Sequence, residues 1–355
     1  MAQLEATSAT DGGIGQYRSL ISRRLVIIGA LVVLLLLSLT ADIALGPASF
    51  PIGDVFMAIV NPAGAELQLQ VVVWQIRMPM ALMALVAGGA LAAAGAQMQT
   101  ILANPLASPF TLGVSAAASF GAAMAFTLGV AVVPWAVDFI VPINAFVMAF
   151  FASSVIFAIS RMRGGTVQTV ILLGIAMSFT FDALLVLLQF IADDATLSSI
   201  VFWTMGSLAK ASWLKLAITF AILLITIPLF VRNAWALTAM RLGDDKAASF
   251  GVPVRRLRLQ TMFLVSLLAA VSVSFIGTIG FVGLVGPHIA RMIVGEDQRF
   301  FFPASILTGA LMLSLASIVS KAVIPGIILP IGMITVLVGL PFFFWLVIQS
   351  TKRAW

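Results

Sequence analysis

No cysteine occurs among the 355 residues, which excludes disulfides and thiolate metal sites. The single histidine, His288, cannot build a zinc site of the usual kind without such partners. No metal or cofactor site is expected. Charge is scarce too. Charged residues make up 9% of the chain against 62% hydrophobic ones, where soluble domains carry roughly a quarter charged residues. A chain with a mean hydropathy of +1.16 cannot cover a globule with polar groups, so its solvent is a lipid bilayer. Catalytic signatures are missing as well. There is no GxxxxGK[ST] loop to hold ATP, no HExxH, no GxSxG and no catalytic carboxylate pair on one helix face. The chain is not expected to be an enzyme. The net charge of +6 comes from basic residues scattered between apolar blocks, which is not a nucleic-acid-binding stripe.

What is present is a series of apolar blocks, near 25–45, 79–101, 111–133, 136–160, 167–191, 213–231, 261–281, 303–324 and 330–349. A bilayer core needs about 20 apolar residues. The block after Arg24 is long enough to span and longer than the core of a signal peptide. It reads as an uncleaved first helix behind a cytoplasmic tail, residues 1–24; a cleaved signal is the alternative. Gly277, Gly280, Gly283 and Gly286, followed by Pro287, predict a break and then a short or re-entrant helix near 282–295. The fold class expected is an all-α membrane protein with about ten transmembrane helices, residues 25–350 forming one domain.

Basic residues orient it. Arg18, Arg23, Arg24, Arg161, Arg163, Arg232, Arg241, Lys246, Arg255, Arg256, Arg258, Arg291, Arg299, Lys352 and Arg353 fall on one side, and Arg77, Lys210, Lys215 and Lys321 on the other. The positive-inside rule makes the first side, with both termini, cytoplasmic. Residues 46–78 and 192–212 are then external, the second suiting a short amphipathic helix. The longest cytoplasmic loop, near 238–260, suits two short helices broken at Gly251–Pro253. Small residues crowd the block Ala87-Gly-Gly-Ala-Leu-Ala-Ala-Ala-Gly-Ala96 and allow close helix packing. Asp182 stands mid-span with Ser178 and Gln189 on its helical face. A carboxylate there costs about 2.5–3.5 kcal/mol on insertion scales, so it faces protein or water. It either lines a path or is protonated or hydrogen-bonded between helices.

Four segments resemble one family. RMPMALMALVAGGALAAAGAQMQTILANPLASPFTLG (77–113), VSVSFIGTIGFVGLVGPHIAR (271–291), LPIGMITVLVGLPFFFWL (329–346) and Phe202-Trp203-Thr204-Met205-Gly206 are similar to the FecCD permeases of ABC importers for iron-siderophores, haem and cobalamin. The resemblance implies the type II ABC importer permease fold in a bacterial inner membrane. It also implies a second permease copy or paralogue, separate ATP-hydrolysing subunits and a periplasmic binding protein. Alternating access and a ferric-siderophore-type cargo are the expected mechanism and substrate. Haem or cobalamin, and an ion-coupled secondary transporter, are the alternatives.

By the same resemblance Asp244, Ala247 and Gly251 couple to the ATPase. Asn104, Pro105 and Leu106 close a cytoplasmic gate against the turn of Gly164, Gly165, Thr166 and Gln168. The helix bearing Ser178, Asp182 and Gln189 borders the path, while Arg77 and Lys321 dock the binding protein. Two departures weaken the docking set: Met80 and Ile328 stand where the family often has charged residues. His288 and Arg291 are expected to serve structure, His288 through a hydrogen bond and Arg291 through carbonyls or headgroups.

Overall fold

The computed structural model describes residues 2–48, 50–162 and 166–351. Arg163, Gly164, Gly165, Lys352 and Arg353 lie outside the described residues. Helix α1 (Ala2–Ala44) contains the polar N-terminal segment as well as the first span. Short α2 (Ile52–Val60) and α3 (Leu67–Val71) follow, and a π turn over Val72–Arg77 runs straight into α4 (Met78–Ile101). Next come α5 (Val114–Leu128), α6 (Ile140–Met162), α7 (Val167–Ile191), the short α8 (Asp194–Thr204) and α9 (Trp213–Arg232). Two short helices, α10 (Ala234–Met240) and α11 (Asp244–Ser249), precede α12 (Val254–Ile276), α13 (Val282–Val294), α14 (Gln298–Ala322) and α15 (Ile331–Thr351). Seven helices are long and apolar enough to cross a membrane, and three shorter apolar ones, Val114–Leu128, Val282–Val294 and Ile331–Phe344, bring the number to ten. No strand occurs among the described residues.

Helix α4 is the axis of the bundle. Nearly its whole circumference is buried, and it packs against α9, α12, α13 and α14. Its alanines and glycines make this possible, because in lipid helix association rests on close backbone packing. A methyl group on Gly95 would overlap the carbonyl of Gly283 in α13, and one on Gly309 in α14 would overlap Ala92 and the carbonyl of Gly88. A second group, α5, α6 and α7, packs together beside this core and meets it largely through α12.

The break expected near 282 is real, and its mechanism is visible. Gly277 ends α12 with φ +74°, and Phe281 enters α13 with φ +66°. That left-handed region disfavours side chains other than Gly, Asn or Asp. The Phe281 side chain lies directly over Gly339 of α15, where a β-carbon would collide with it. The break is also knitted by main chain. Ser207 N–H donates to Ile276 O at 2.7 Å, Ile331 N–H to Gly206 O at 3.1 Å and Gly332 N–H to Met205 O at 3.0 Å. Three of the sequence blocks singled out above therefore meet at one junction. Irregular backbone is tolerated at membrane depth only when protein satisfies it in this way.

Two shifts of element boundaries bear on the basic loop. The charged turn Val254–Arg258 belongs to α12, which begins one to two turns before the apolar block. The basic loop breaks at Arg241–Gly243, between α10 and α11, as well as at Gly251–Pro253.

The glycine contacts give a direct test. Gly95→Val has to displace a backbone carbonyl, which cannot swing away as a side chain can, so it should destabilise by about 1–3 kcal/mol or more. Gly29→Ala, in open space on α1, should leave stability unchanged or raised by up to about 1 kcal/mol. Thermal unfolding of both variants in detergent would measure the contrast.

Candidate functional site

Helix α7 supplies the most distinctive polar surface within the spans. Ser178, Asp182 and Gln189 do share one face, over roughly 16 Å of helix axis, and they open onto a cleft of about 360 Å³. Ser115 and Ser119 of α5 line its opposite wall, and Thr204 of α8 and Thr278 of the α12–α13 break complete it. Sequence reasoning missed these four, which come from three separate segments. The cleft exists because α7 leans on the turn before α5. Gly174 lies against the carbonyl of Thr111, and Gly113, with φ +67°, lies against Met177 and Ser178. Helix α8 is anchored by Asp193, which accepts from the N–H of Thr196 at 2.7 Å. That backbone hydrogen bond holds the Asp193 carboxyl below its ordinary range.

Several hydroxyls along the cleft are already committed as donors. Ser178 donates to Gly174 O at 3.0 Å, Thr204 to Val201 O at 2.8 Å, and Thr278 to Thr204 O. The adjoining face of α7 is apolar and open, with Phe179, Val186 and Phe190 exposed.

At the basic end, α11 is pinned from below and open above. Ala247, Val252, Leu237 and Met240 are buried in the main core, whereas Leu242 and Phe250 are 56% and 57% exposed. Asp244 pairs with Arg258 at 2.6 Å, and Arg258 Nε also donates to Ile101 O at 3.1 Å. The loop is thus tied to the last carbonyls of α4. Gly251 is exposed, in open space, with φ +80°, which accounts for a glycine at that turn.

Asn104 forms a tight turn in which its Oδ1 accepts from Leu106 N–H at 2.9 Å. Pro105 and Leu106 seat against Leu284, Val285, His288, Phe342 and Phe343. Thr166 caps α7 through Thr169 N–H at 3.3 Å, and Gln168 is exposed on its first turn. No hydrogen bond among the described residues joins the two turns. His288 does not make the expected hydrogen bond: Nδ1 is buried without a partner, and the ring meets Phe342 edge-on at 6.2 Å.

A polar network missed by the sequence reading connects these parts. Gln97 donates to Gln298 at 3.1 Å, Gln298 to Thr100 at 2.8 Å, Gln99 to Leu284 O at 3.2 Å and Arg291 to Gln99 at 2.7 Å. The acidic turn between α13 and α14 gathers four arginines. Glu296 faces Arg241 at 2.5 Å and Arg291 at 3.6 Å, while Asp297 faces Arg299 at 2.6 Å and Arg24 at 3.9 Å. Arg291 therefore serves protein groups, in place of the carbonyls or headgroups expected for it.

The docking assignment requires correction. Arg77 is 3% exposed, and its guanidinium caps the end of α1, donating to Ile43 O at 3.2 Å, to Ala44 O at 2.8 Å and to Ala48 O. A cation at a helix C-terminus satisfies its orphan carbonyls and opposes its dipole. Lys321 is 4% exposed. Its Nζ lies 2.6 Å from Asp42 Oδ1 and donates to Asp42 O at 2.5 Å. Neither charge faces a partner. Asp42 was overlooked inside the first apolar block, yet a carboxylate in a span requires a partner by default.

Comparison with known proteins now bears on these features. A model described as the FecCD transport family matches residues 30–349. The chain belongs to this family. An ABC transporter permease protein of Methanocaldococcus jannaschii is 38% identical over 96% of this chain and 99% of its own length. The hemin transport system permease protein of Yersinia pestis is 32% identical over 92% of this chain and 96% of its own length. A solved structure described as an inward-facing metal-chelate type ABC transporter aligns with a TM-score of 0.79 at 31% identity, covering 91% of this chain and 99% of that one. Other FecCD relatives are named for molybdate, Fe(3+)-citrate and vitamin B12 import. The protein is thus a multi-pass membrane permease of the ABC importer type.

Two tests follow from the ion pairs. Asp42→Leu or Lys321→Met alone leaves a buried charge unpaired and should cost about 3–5 kcal/mol, whereas the double variant should recover most of that; thermal unfolding of all three decides it. Hydrogen bonding from Arg299 holds Asp297 below the ordinary carboxylate range. Its stabilisation is then present above the unfolded value, about 3.9, and lost as pH falls through the lower folded value. Asp297→Asn should destabilise at pH 7 by up to about 1 kcal/mol, and the difference from the parent should shrink below about pH 4.

Proposed function

We propose that this chain is the membrane subunit of an ATP-driven importer that carries a ferric-siderophore-type iron chelate into the cytoplasm by alternating access. The basic end is the cytoplasmic one, holding both termini, and the membrane is a bacterial inner membrane. The observation that carries the reading is the cleft beneath α7. It is a polar surface on a helix long and apolar enough to span, in a family of importer permeases, formed by Ser178, Asp182 and Gln189 with hydroxyls from three other segments. A polar cleft on such a helix has no role toward lipid and suits a hydrophilic cargo. The exposed apolar face of α7 carries Asp182 at its edge, so a second permease copy or a paralogue covers it and closes the path.

Energy comes from elsewhere. The chain has no phosphate-binding loop, so ATP is hydrolysed on separate subunits. Those subunits dock on α11 and the turn after it, where Asp244, Ala247 and Gly251 lie. Buried Ala247 anchors the surface, and exposed Leu242, Ala248 and Phe250 meet the partner. Movement there reaches the core through Asp244, Arg258 and the end of α4. The Asn104–Leu106 turn and the turn ending in Thr166 and Gln168 form the cytoplasmic gate, paired across the two permease copies. A periplasmic binding protein delivers the chelate to the far end, on surfaces other than Arg77 and Lys321.

Reconstitution with the cognate ATPase and binding protein tests this. The permease alone should hydrolyse no ATP, and the assembled complex should couple hydrolysis to uptake of a ferric hydroxamate. Ala248→Arg places bulk on an exposed helical position without backbone strain, unlike Gly251→Arg. It should lower ATPase retention and uptake at least tenfold while leaving expression and thermal stability unchanged. Normal retention and uptake would remove α11 from the coupling surface.

A further inference from the structure

The cleft has a chemical bias that its shape alone does not require. Ten residues line it, and none is basic; the one charged group is Asp182. No hydrogen bond or ion pair within the chain engages that carboxylate among the described residues, so its charge is directed at whatever occupies the cleft. The neighbouring hydroxyls reinforce the same polarity. Ser178, Thr204 and Thr278 spend their protons on main-chain carbonyls, and each hydroxyl oxygen keeps its lone pairs for other partners. Toward the cleft these groups accept hydrogen bonds. Ser115, Ser119 and the Gln189 amide, which can still donate, supply no positive charge. Three of the four cations at that end of the molecule are held elsewhere, Arg77 on the end of α1, Lys321 on Asp42, and Lys215 on Lys210 O at 3.0 Å and over the Phe139 ring, and the fourth, Lys210, is exposed and does not line the cleft.

We propose that this cleft selects by charge: it passes a metal chelate of neutral or positive net charge that presents N–H or O–H donors, and disfavours anionic cargo. The inference rests on reading the cleft as the translocation path and adds a substrate class to it. An anion such as molybdate or ferric citrate would meet an acceptor-lined wall and an unpaired carboxylate in a low-dielectric setting, where repulsion is strong. If two copies of this chain form the pore, both walls carry the same bias. The effect is not uniform along the path. It is centred on Asp182, with Ser178 one turn toward the basic end and Gln189 two turns toward the other.

The absence of cysteine makes a direct measurement clean. Ser178→Cys and Gln189→Cys would each be placed singly in the permease and assembled with its ATPase and binding protein in proteoliposomes. Each thiol is then treated with a cationic, trimethylammonium-bearing and an anionic, sulfonate-bearing methanethiosulfonate, in the apo and ATP-bound states. Rates are normalised to those of a small free thiol. With Asp182 present the cationic reagent should react about tenfold faster than the anionic one. Asp182→Asn should bring the ratio close to one, and Asp182→Lys should invert it. A ratio at or below one with Asp182 intact overturns the charge selection while leaving the path assignment standing. Failure of both reagents to reach either thiol in any nucleotide state overturns the path assignment, and the charge selection with it.

Discussion

The close approach of α4 to α13 and α14 is the constraint on which the rest of the structure depends. Backbone meets backbone at Gly95 and Gly283 and at Gly88 and Gly309. In a bilayer there is no water to drive side chains together, so this contact supplies the packing that a hydrophobic core supplies in a soluble protein. It also sets where everything else goes. Helix α13 is only 13 residues long, and the backbone before it is held where the end of α12 bonds to the turn after α8, which in turn bonds to the start of α15. The broken backbone at Gly277–Phe281 is therefore a fixed feature that places Thr278 on the cleft.

The two ends of the molecule handle charge differently. At the basic end, pairs are partly exposed and shared. Glu296 and Asp297 distribute two charges over four arginines from different elements, and exposed pairs of this kind contribute little individually. The far end has one dry pair, Asp42 with Lys321, and one dry cap, Arg77 on α1. Such groups stabilise little in net terms but tolerate no loss of a partner. The basic end is thus held by pairs that water can partly replace, while the far end fixes α1 and α14 relative to each other.

Much of this was legible in the sequence, for identifiable reasons. The spans follow from apolar runs, the break near 282 from glycine spacing, and the shared face of Ser178, Asp182 and Gln189 from helical periodicity. These are local signals. What could not be read was set by contacts distant in sequence. Arg77 was assigned to docking by resemblance, but the helix continues through the π turn and carries its side chain under the end of α1. Lys321 stood out in the sequence and Asp42 was overlooked, and only the fold shows that they answer one another. The Gln97–Gln298–Thr100 network likewise joins residues about 200 positions apart in the chain. The start of α12 was placed late because its basic first turn resembles a loop. Arg258 is helical and buried there because Asp244 and the Ile101 carbonyl receive it.

The Asp42–Lys321 pair also has a consequence for the order of synthesis. Ribosomes deliver α1 first and α14 near the end, so Asp42 leaves the insertion machinery long before its counter-ion exists. It lies within a turn of the end of α1, close enough to the headgroup region to wait there hydrated. Arrival of Lys321 then allows the carboxylate to sink into the protein and draws α1 against α14, with Ser38 and Ser314 closing at 2.7 Å beneath it. The first helix made is thereby seated by one of the last, and a chain truncated before Lys321 would present an unmatched acid to membrane quality control.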